Sequence, residues 1–195
     1  MQKDFNKFLK SNYNIYQNDG FGDVYSKLFE LDRIIFLNSD LNEYTANLIK
    51  AQLLYLNYID PTKDIKLYID SGGGSVYNSM GILDTIDIIS CDVETVNIGL
   101  AASMAAVLLS YGTKGKRKSL KRSKTMIHQP MTFAEGQASD INITATEVMG
   151  VKKELIQILA DRSGKKYTKV ETDSDRDYWM TAEETKKYGI IDIIL

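Results

Sequence analysis

Short apolar runs alternate along the chain with longer stretches in which apolar residues recur at helical spacing. Arg33-Ile34-Ile35-Phe36-Leu37, Ile65 to Ile69 and Val93 to Ile98 have the length and β-branched content of buried strands. Between the first two runs, Tyr44, Leu48, Ala51, Tyr55 and Tyr58 fall at helical spacing, which predicts a helix over 42–58. Asp70-Ser71-Gly72-Gly73-Gly74 follows the second run and leads into a helix ending near Ser90. Gly99 leads into the Ala-rich segment Ala101 to Leu109. After a Gly- and Lys-rich turn, Met126 and Ile127 form a strand that ends at His128-Gln129-Pro130, because proline offers no ladder donor. A long helix is predicted next, with Ile141, Ala145, Val148, Lys152, Leu155 and Leu159 on one stripe and Gly164 as C-cap. Lys152 within that stripe implies that one end of the face meets water or a partner. Thr181-Ala182-Glu183-Glu184 is a capping box opening a final helix. This alternation predicts an α/β fold with largely parallel strands. Residues 1–22 are polar and Asn-rich and are expected to form a mobile arm, leaving 23–195 as one domain.

Composition narrows the chemistry. The 195 residues suit one core, and 44% hydrophobic with 26% charged residues is ordinary for a globular protein. A formal net charge of -2 gives no general attraction to nucleic acid or anionic membranes. No apolar stretch approaches the roughly 18 residues of a membrane helix, and the first residues lack the apolar run of a signal peptide. A cytoplasmic protein without a membrane partner is expected. The chain has one cysteine, Cys91, and one histidine, His128, so it can form neither an intrachain disulfide nor a multi-histidine metal site. Any imidazole chemistry must use His128. The basic run Lys114, Lys116, Arg117, Lys118, Lys121, Arg122 and Lys124 lacks aromatic residues for base stacking. It is expected to be a solvated basic hairpin, not a nucleic-acid interface.

Two turns could carry chemistry. Gly72-Gly73-Gly74 matches neither common nucleotide-binding pattern, which leaves a tight turn or an oxyanion hole. Ser103 stands in the first turn of a helix, where serine is ordinarily a cap, and it does not fit the G-x-S-x-G elbow. Its position nevertheless puts a hydroxyl beside a free helix N–H. A histidine ending a strand is ordinarily structural, and the acidic run Glu171, Asp173, Asp175 and Asp177 is ordinarily a solvated turn. A nucleophilic serine needs a base, and the base needs a carboxylate to fix its tautomer. These residues permit such a set without selecting it.

The same residues resemble the ClpP proteolytic subunits of the Clp proteases over about 23–195. Asp23 to Leu28 and Arg33 to Leu37 resemble the family's opening segment. Ala101-Ala102-Ser103-Met104 is similar to its nucleophile motif, Met126 to Pro130 to its histidine motif and Asp175-Arg176-Asp177 to its acid motif; Gly136 to Ile141 and Tyr188 to Asp192 also fit. The resemblance implies a ClpP/crotonase-like fold of repeated ββα units with a protruding handle at about 129–163. It implies a serine endopeptidase with Ser103 as nucleophile, His128 as base, Asp177 as orienting acid, and Gly74 and Met104 N–H groups as the oxyanion hole. Gln129 and Arg176 would couple ring contact to triad alignment. Lys66, Tyr68, Ile88, Val96, Ile98 and Leu120 would line a cleft for the partner ATPase. The implied assembly is a tetradecamer of two stacked seven-membered rings, with residues 1–22 in the axial region. It would be fed unfolded protein by a hexameric Clp-family AAA+ ATPase. Peptides would bind as an added strand, and the chain itself would need no cofactor or metal, ATP being used by the partner.

Several positions depart from the family pattern. Gly72 replaces the usual proline, Leu100 a glutamine and Ala105 a glycine. Thr132 and Phe133 stand where a Gly-Gly pair is usual, and Lys66 where an aromatic lines the cleft. The rival readings are a non-catalytic structural ring subunit, which would typically lack a triad residue, and a crotonase-type acyl-CoA enzyme, which would have no purpose for the triad.

Overall fold

The computed structural model describes residues 21–195. The predicted arm therefore lies outside the described residues up to residue 20, and its last two positions belong to helix α1 (Phe21–Asp32). There follow β1 (Ile34–Leu37), α2 (Glu43–Ile59), β2 (Ile65–Ser71), α3 (Val76–Ile88), β3 (Val93–Ala102), α4 (Met104–Tyr111), β4 (Arg117–Ser119) and β5 (Lys124–Ile127). The chain closes with α5 (Ala138–Ser163), α6 (Tyr167–Asp173), β6 (Tyr178–Thr181), α7 (Ala182–Tyr188) and β7 (Ile193–Ile194).

The strands form one sheet of order β1-β2-β3-β4-β7, and every pairing on that path is parallel. Strand β3 serves two neighbours along one edge. Its Thr95–Asn97 part pairs with β4, and its Leu100–Ala102 part pairs with β5. Asn97, fully buried, marks the step. Its side-chain NH2 donates to the Lys124 carbonyl, and its own carbonyl accepts from Leu120 N and Ser123 Oγ. The expected basic hairpin is therefore not formed, since β4 and β5 run in the same direction and pair with β3, not with each other. Three of its charges are also engaged, Lys116 with Asp64 and Asp92, Arg117 with Asp192, and Lys118 with Glu94, while Lys114, Lys121, Arg122 and Lys124 are exposed as expected.

One sheet face carries the core. Ile35, Leu37, Ile65, Leu67 and Ile69 are buried with Leu108 and Leu109 of α4 and Ile82 and Leu83 of α3. Helix α2 turns Ala46, Ile49, Leu53 and Leu56 inward, not the stripe marked by Tyr44 and Tyr58, which are 65% and 84% exposed. The helix has two apolar faces, and the aliphatic one fits against flat β-branched strands while Tyr44 and Tyr58 point outward and Tyr55 packs at the margin of the core. Its start is fixed by a capping box between Asn42 and Thr45. Helix α5 buries Leu155, Ile156, Leu159 and Ala160 in its second half, while Ile141, Ile143 and Met149 of its first half are exposed. It ends at Gly164 in a left-handed cap, and α7 opens at the Thr181–Glu184 box, both as expected. No helix among the described residues is long and apolar enough to cross a membrane.

Candidate active site

Three chain segments converge where β3 and β5 end. Strand β3 stops at Ala102 and α4 starts at Met104, so Ser103 alone makes the reversal, at φ 56° and ψ -127°. A non-glycine residue at positive φ is strained by on the order of 1–3 kcal/mol. It persists because Ser103 N–H donates to Met126 O (2.9 Å) while Ser103 O accepts from Ala106 N (2.9 Å) and Val107 N (3.2 Å). The sharp turn presents Oγ ahead of the helix.

His128 follows the last residue of β5. In the antiparallel β5–β6 pair, Ile127 lies opposite Tyr178, so one step further along the register places His128 opposite Asp177. His128 Nδ1 is 3.2 Å from Asp177 Oδ1, and Nε2 is 2.9 Å from Ser103 Oγ. With the carboxylate accepting from Nδ1–H, the Nε2 lone pair faces the serine, whose O–H donates to it. The histidine side chain is 14% exposed and that of Asp177 61%, so the imidazole is sheltered while the carboxylate stands at the rim.

The glycine turn abuts this point. Gly73 (φ 95°) and Gly74 (φ 143°) are in backbone conformations that favour glycine, and a Cβ on Gly73 would lie 2.8 Å from Ser103 Cβ. Ser71 Oγ holds the turn, accepting from Gly73 N–H and donating to Ser39 O. Gly74 forms a parallel bridge with Leu41, in which Leu41 donates to Gly73 O and accepts from Ser75 N. That geometry leaves the Gly74 N–H without an acceptor among the described residues, as is the N–H of Met104 at the first turn of α4. Two unoccupied donors beside a serine with an imidazole partner make an arrangement suited to acyl transfer.

The family profile described as Clp protease matches residues 17–195. The chain belongs to the Clp protease family. It is 60% identical over 173 residues to an ATP-dependent Clp protease proteolytic subunit of Bacteroides fragilis, covering 89% of this chain and 83% of that protein. The corresponding subunit of Porphyromonas gingivalis is 58% identical, across 89% of this chain and 78% of its own length. Subunit 1 of Prochlorococcus marinus is 51% identical, with 89% and 88% covered. The chain is thus a Clp-type peptidase subunit, and the crotonase reading falls away.

An apolar slot flanks Ser103 and His128 in this Clp protease chain. Its walls are Val76, Met104, Val107, Ile127, Leu155 and Leu159. Sequence reasoning had placed Leu155 and Leu159 only on a packing stripe, and nothing local marked Val76 as a wall of the site. Gln129 donates from Nε2 to Asp175 O at 2.7 Å and accepts from Lys152 Nζ at 2.9 Å. Arg176, expected to act with Gln129, is exposed, and among the described residues no hydrogen bond or ion pair holds its side chain. The two are not brought together within one chain.

The strand residues of the expected ATPase cleft fall on the sheet face opposite the core, and Ile88 ends helix α3. Lys66 and Tyr68 pair with Glu94 and Val96, and Ile98 continues that face of β3. Val96 is only 1% exposed and offers no surface, whereas Ile88 (74%) and Leu120 (39%) do. Sequence reasoning missed Phe36 and Tyr25, which extend Tyr68 into an aromatic row with ring centroids 5.6 and 4.9 Å apart.

Proposed function

We propose that this chain is a serine endopeptidase subunit in which Ser103 is the nucleophile, His128 the general base and Asp177 the carboxylate that orients it. The continuous contact from Ser103 Oγ through the imidazole to Asp177, 2.9 and 3.2 Å, carries this reading. His128 Nε2 takes the Ser103 proton as Oγ adds to the peptide carbonyl, and the oxyanion forms against the N–H groups of Gly74 and Met104. The imidazolium gives its proton to the leaving amine, and a water activated at the same nitrogen then hydrolyses the acyl-serine ester. The apolar slot receives the side chain on the acyl side of the cut. No step calls for a metal or cofactor in this chain.

The relatives named as proteolytic subunits of ATP-dependent proteases support a partnership with a hexameric Clp ATPase that unfolds substrates and consumes ATP. Two stacked seven-membered rings would enclose the active sites, with the 129–163 segment as the handle between rings and the 1–22 arm at the axial entrance. Gln129 and Arg176 would report ring contact to the triad. The outward face around Tyr68 and Leu120, with Lys66, Ile88, Val96 and Ile98, would receive the ATPase, and the assembly would work in the cytoplasm.

The test is cleavage of a fluorogenic short peptide and of an unfolded protein by the assembled chain, with and without a Clp ATPase and ATP. Peptide cleavage lost in Ser103→Ala, and protein degradation that depends on ATPase and ATP, are the expected results. Peptide cleavage that survives Ser103→Ala would overturn the assignment.

A further inference from the structure

Among the described residues, the polar link from helix α5 to the segments that carry His128 and Asp177 is made by Lys152. Lys152 interrupts the stripe of Val148, Leu155 and Leu159, yet its side chain is only 17% exposed. Its ammonium lies 2.9 Å from Gln129 Oε1 and 3.9 Å from Asp175 Oδ1. Gln129 directly follows His128, and its Nε2 donates to Asp175 O at 2.7 Å. An ammonium only donates, so Lys152 draws the oxygen end of the Gln129 amide to itself and turns the NH2 end toward the acid-bearing turn. The opposite amide orientation would set oxygen against the Asp175 carbonyl and carboxylate.

Asp177 depends on such a hold. Its carboxylate is 61% exposed, and among the described residues its side chain has one hydrogen-bond contact, that to His128. On one side its backbone is fixed by Tyr178 in β6. On the other, Ser174 is tied to the end of α6 through Val170 O, and among the described residues Asp175 is held by Gln129 and by its ion pair with Lys152. The Gln129–Asp175 link thus runs alongside the His128–Asp177 contact, between the same two segments.

We infer that Lys152 is a positioning residue: acting through Gln129 and Asp175, it sets where Asp177 stands against His128. The inference rests on the Ser103–His128–Asp177 reading given above. It makes alignment of the acid depend on a residue of helix α5 that touches neither substrate nor any member of the triad.

The test compares assembled wild type, Lys152→Met, Lys152→Arg, Asp177→Asn and the Lys152→Met/Asp177→Asn double variant. Peptide kcat and KM are measured together with the rate at which a fluorophosphonate labels Ser103. Lys152→Met should lower kcat and labelling roughly tenfold, a loss typical of a small misplacement, with KM within about twofold. Lys152→Arg, which keeps the donor and charge, should recover most of that loss. In the Asp177→Asn background Lys152→Met should cost nothing further, because the lysine acts through the aspartate. Should Lys152→Met fail to assemble, Gln129→Leu breaks the same chain one link nearer the acid and is judged by the same criteria. Wild-type rates in Lys152→Met, or a loss that multiplies with that of Asp177→Asn, would overturn the inference and leave the triad standing. Wild-type protein that takes no label at Ser103 would instead overturn the triad reading, and this inference with it.

Discussion

Replacing Gly73 by alanine probes how closely the glycine turn and the serine turn are fitted. The new Cβ would lie 2.6 Å from the Ala102 carbonyl oxygen, 2.8 Å from Ser103 Cβ and 3.0 Å from Met104 N. Against the 3.4 Å at which ordinary contact begins, the tightest of these is short by about 0.8 Å. All three neighbours are backbone atoms or the Cβ of Ser103, so relief must move the serine turn, the glycine turn or both. A φ of 95° adds roughly 1–3 kcal/mol of strain for any residue with a Cβ. A displacement approaching 1 Å at the reacting groups costs about 10²-fold in rate, and the shifted N–H groups would no longer meet the oxyanion. The assay is kcat/KM for peptide cleavage, with thermal unfolding measured alongside. Gly81→Ala is the control, because its Cβ would meet only the Lys50 side chain, at 3.5 Å in ordinary contact. That change sits inside α3 and should raise stability by up to about 1 kcal/mol, with activity unchanged. Activity of Gly73→Ala within twofold of wild type would refute the close fit.

Two further predictions concern the frame around the site. Arg117, with a side chain 5% exposed, grips Asp192 through Nη2 (2.6 Å) and Nε (2.9 Å), so Arg117→Met should destabilise the fold by about 3–5 kcal/mol in urea titration; a loss under about 1 kcal/mol would contradict this. Burial alone would raise the Asp192 pKa, but the Arg117 side chain and the backbone donors outweigh it and hold the carboxyl below its usual range. The contribution of this group is therefore full above the ordinary carboxylate pKa and lost as pH falls through the lowered folded value. The stability gap between wild type and Asp192→Asn should narrow on acidification. Arg33, buried at φ 57°, donates to the carbonyls of Leu56, Asp60, Lys63 and Asp64 at the end of α2. Arg33→Met should lower stability by roughly 2–3 kcal/mol by orphaning these acceptors, measured as the shift in denaturation midpoint.

Much of this architecture was legible in the order of apolar runs, because parallel strands buried on a core face read as Ile-, Val- and Leu-rich segments separated by helical spacing. The errors came where two answers were chemically alike. Helix α2 carries both an aliphatic and an aromatic stripe, and only packing against the sheet decides which is buried. The segment from Lys114 to Lys124 has the polarity of a hairpin, but whether β4 and β5 pair with each other or with β3 depends on the step at Asn97, which local pattern does not reveal. In the site, no local signal separated Ser103 from a cap or His128 from a structural residue; family motifs made the assignment. The register that sets His128 opposite Asp177 spans 49 positions, beyond any periodicity. Lys152 was visible as an odd polar residue in an apolar stripe, but its partner Gln129 could be found only in three dimensions.

The most direct measurement for the central claim is intact-protein mass after exposure of the assembled protein to a fluorophosphonate. One adduct per chain on wild type, absent from Ser103→Ala and His128→Ala and strongly slowed in Asp177→Asn, is the predicted result. Equal labelling of Ser103→Ala, or no adduct on fully assembled wild type, would contradict Ser103 as an activated nucleophile.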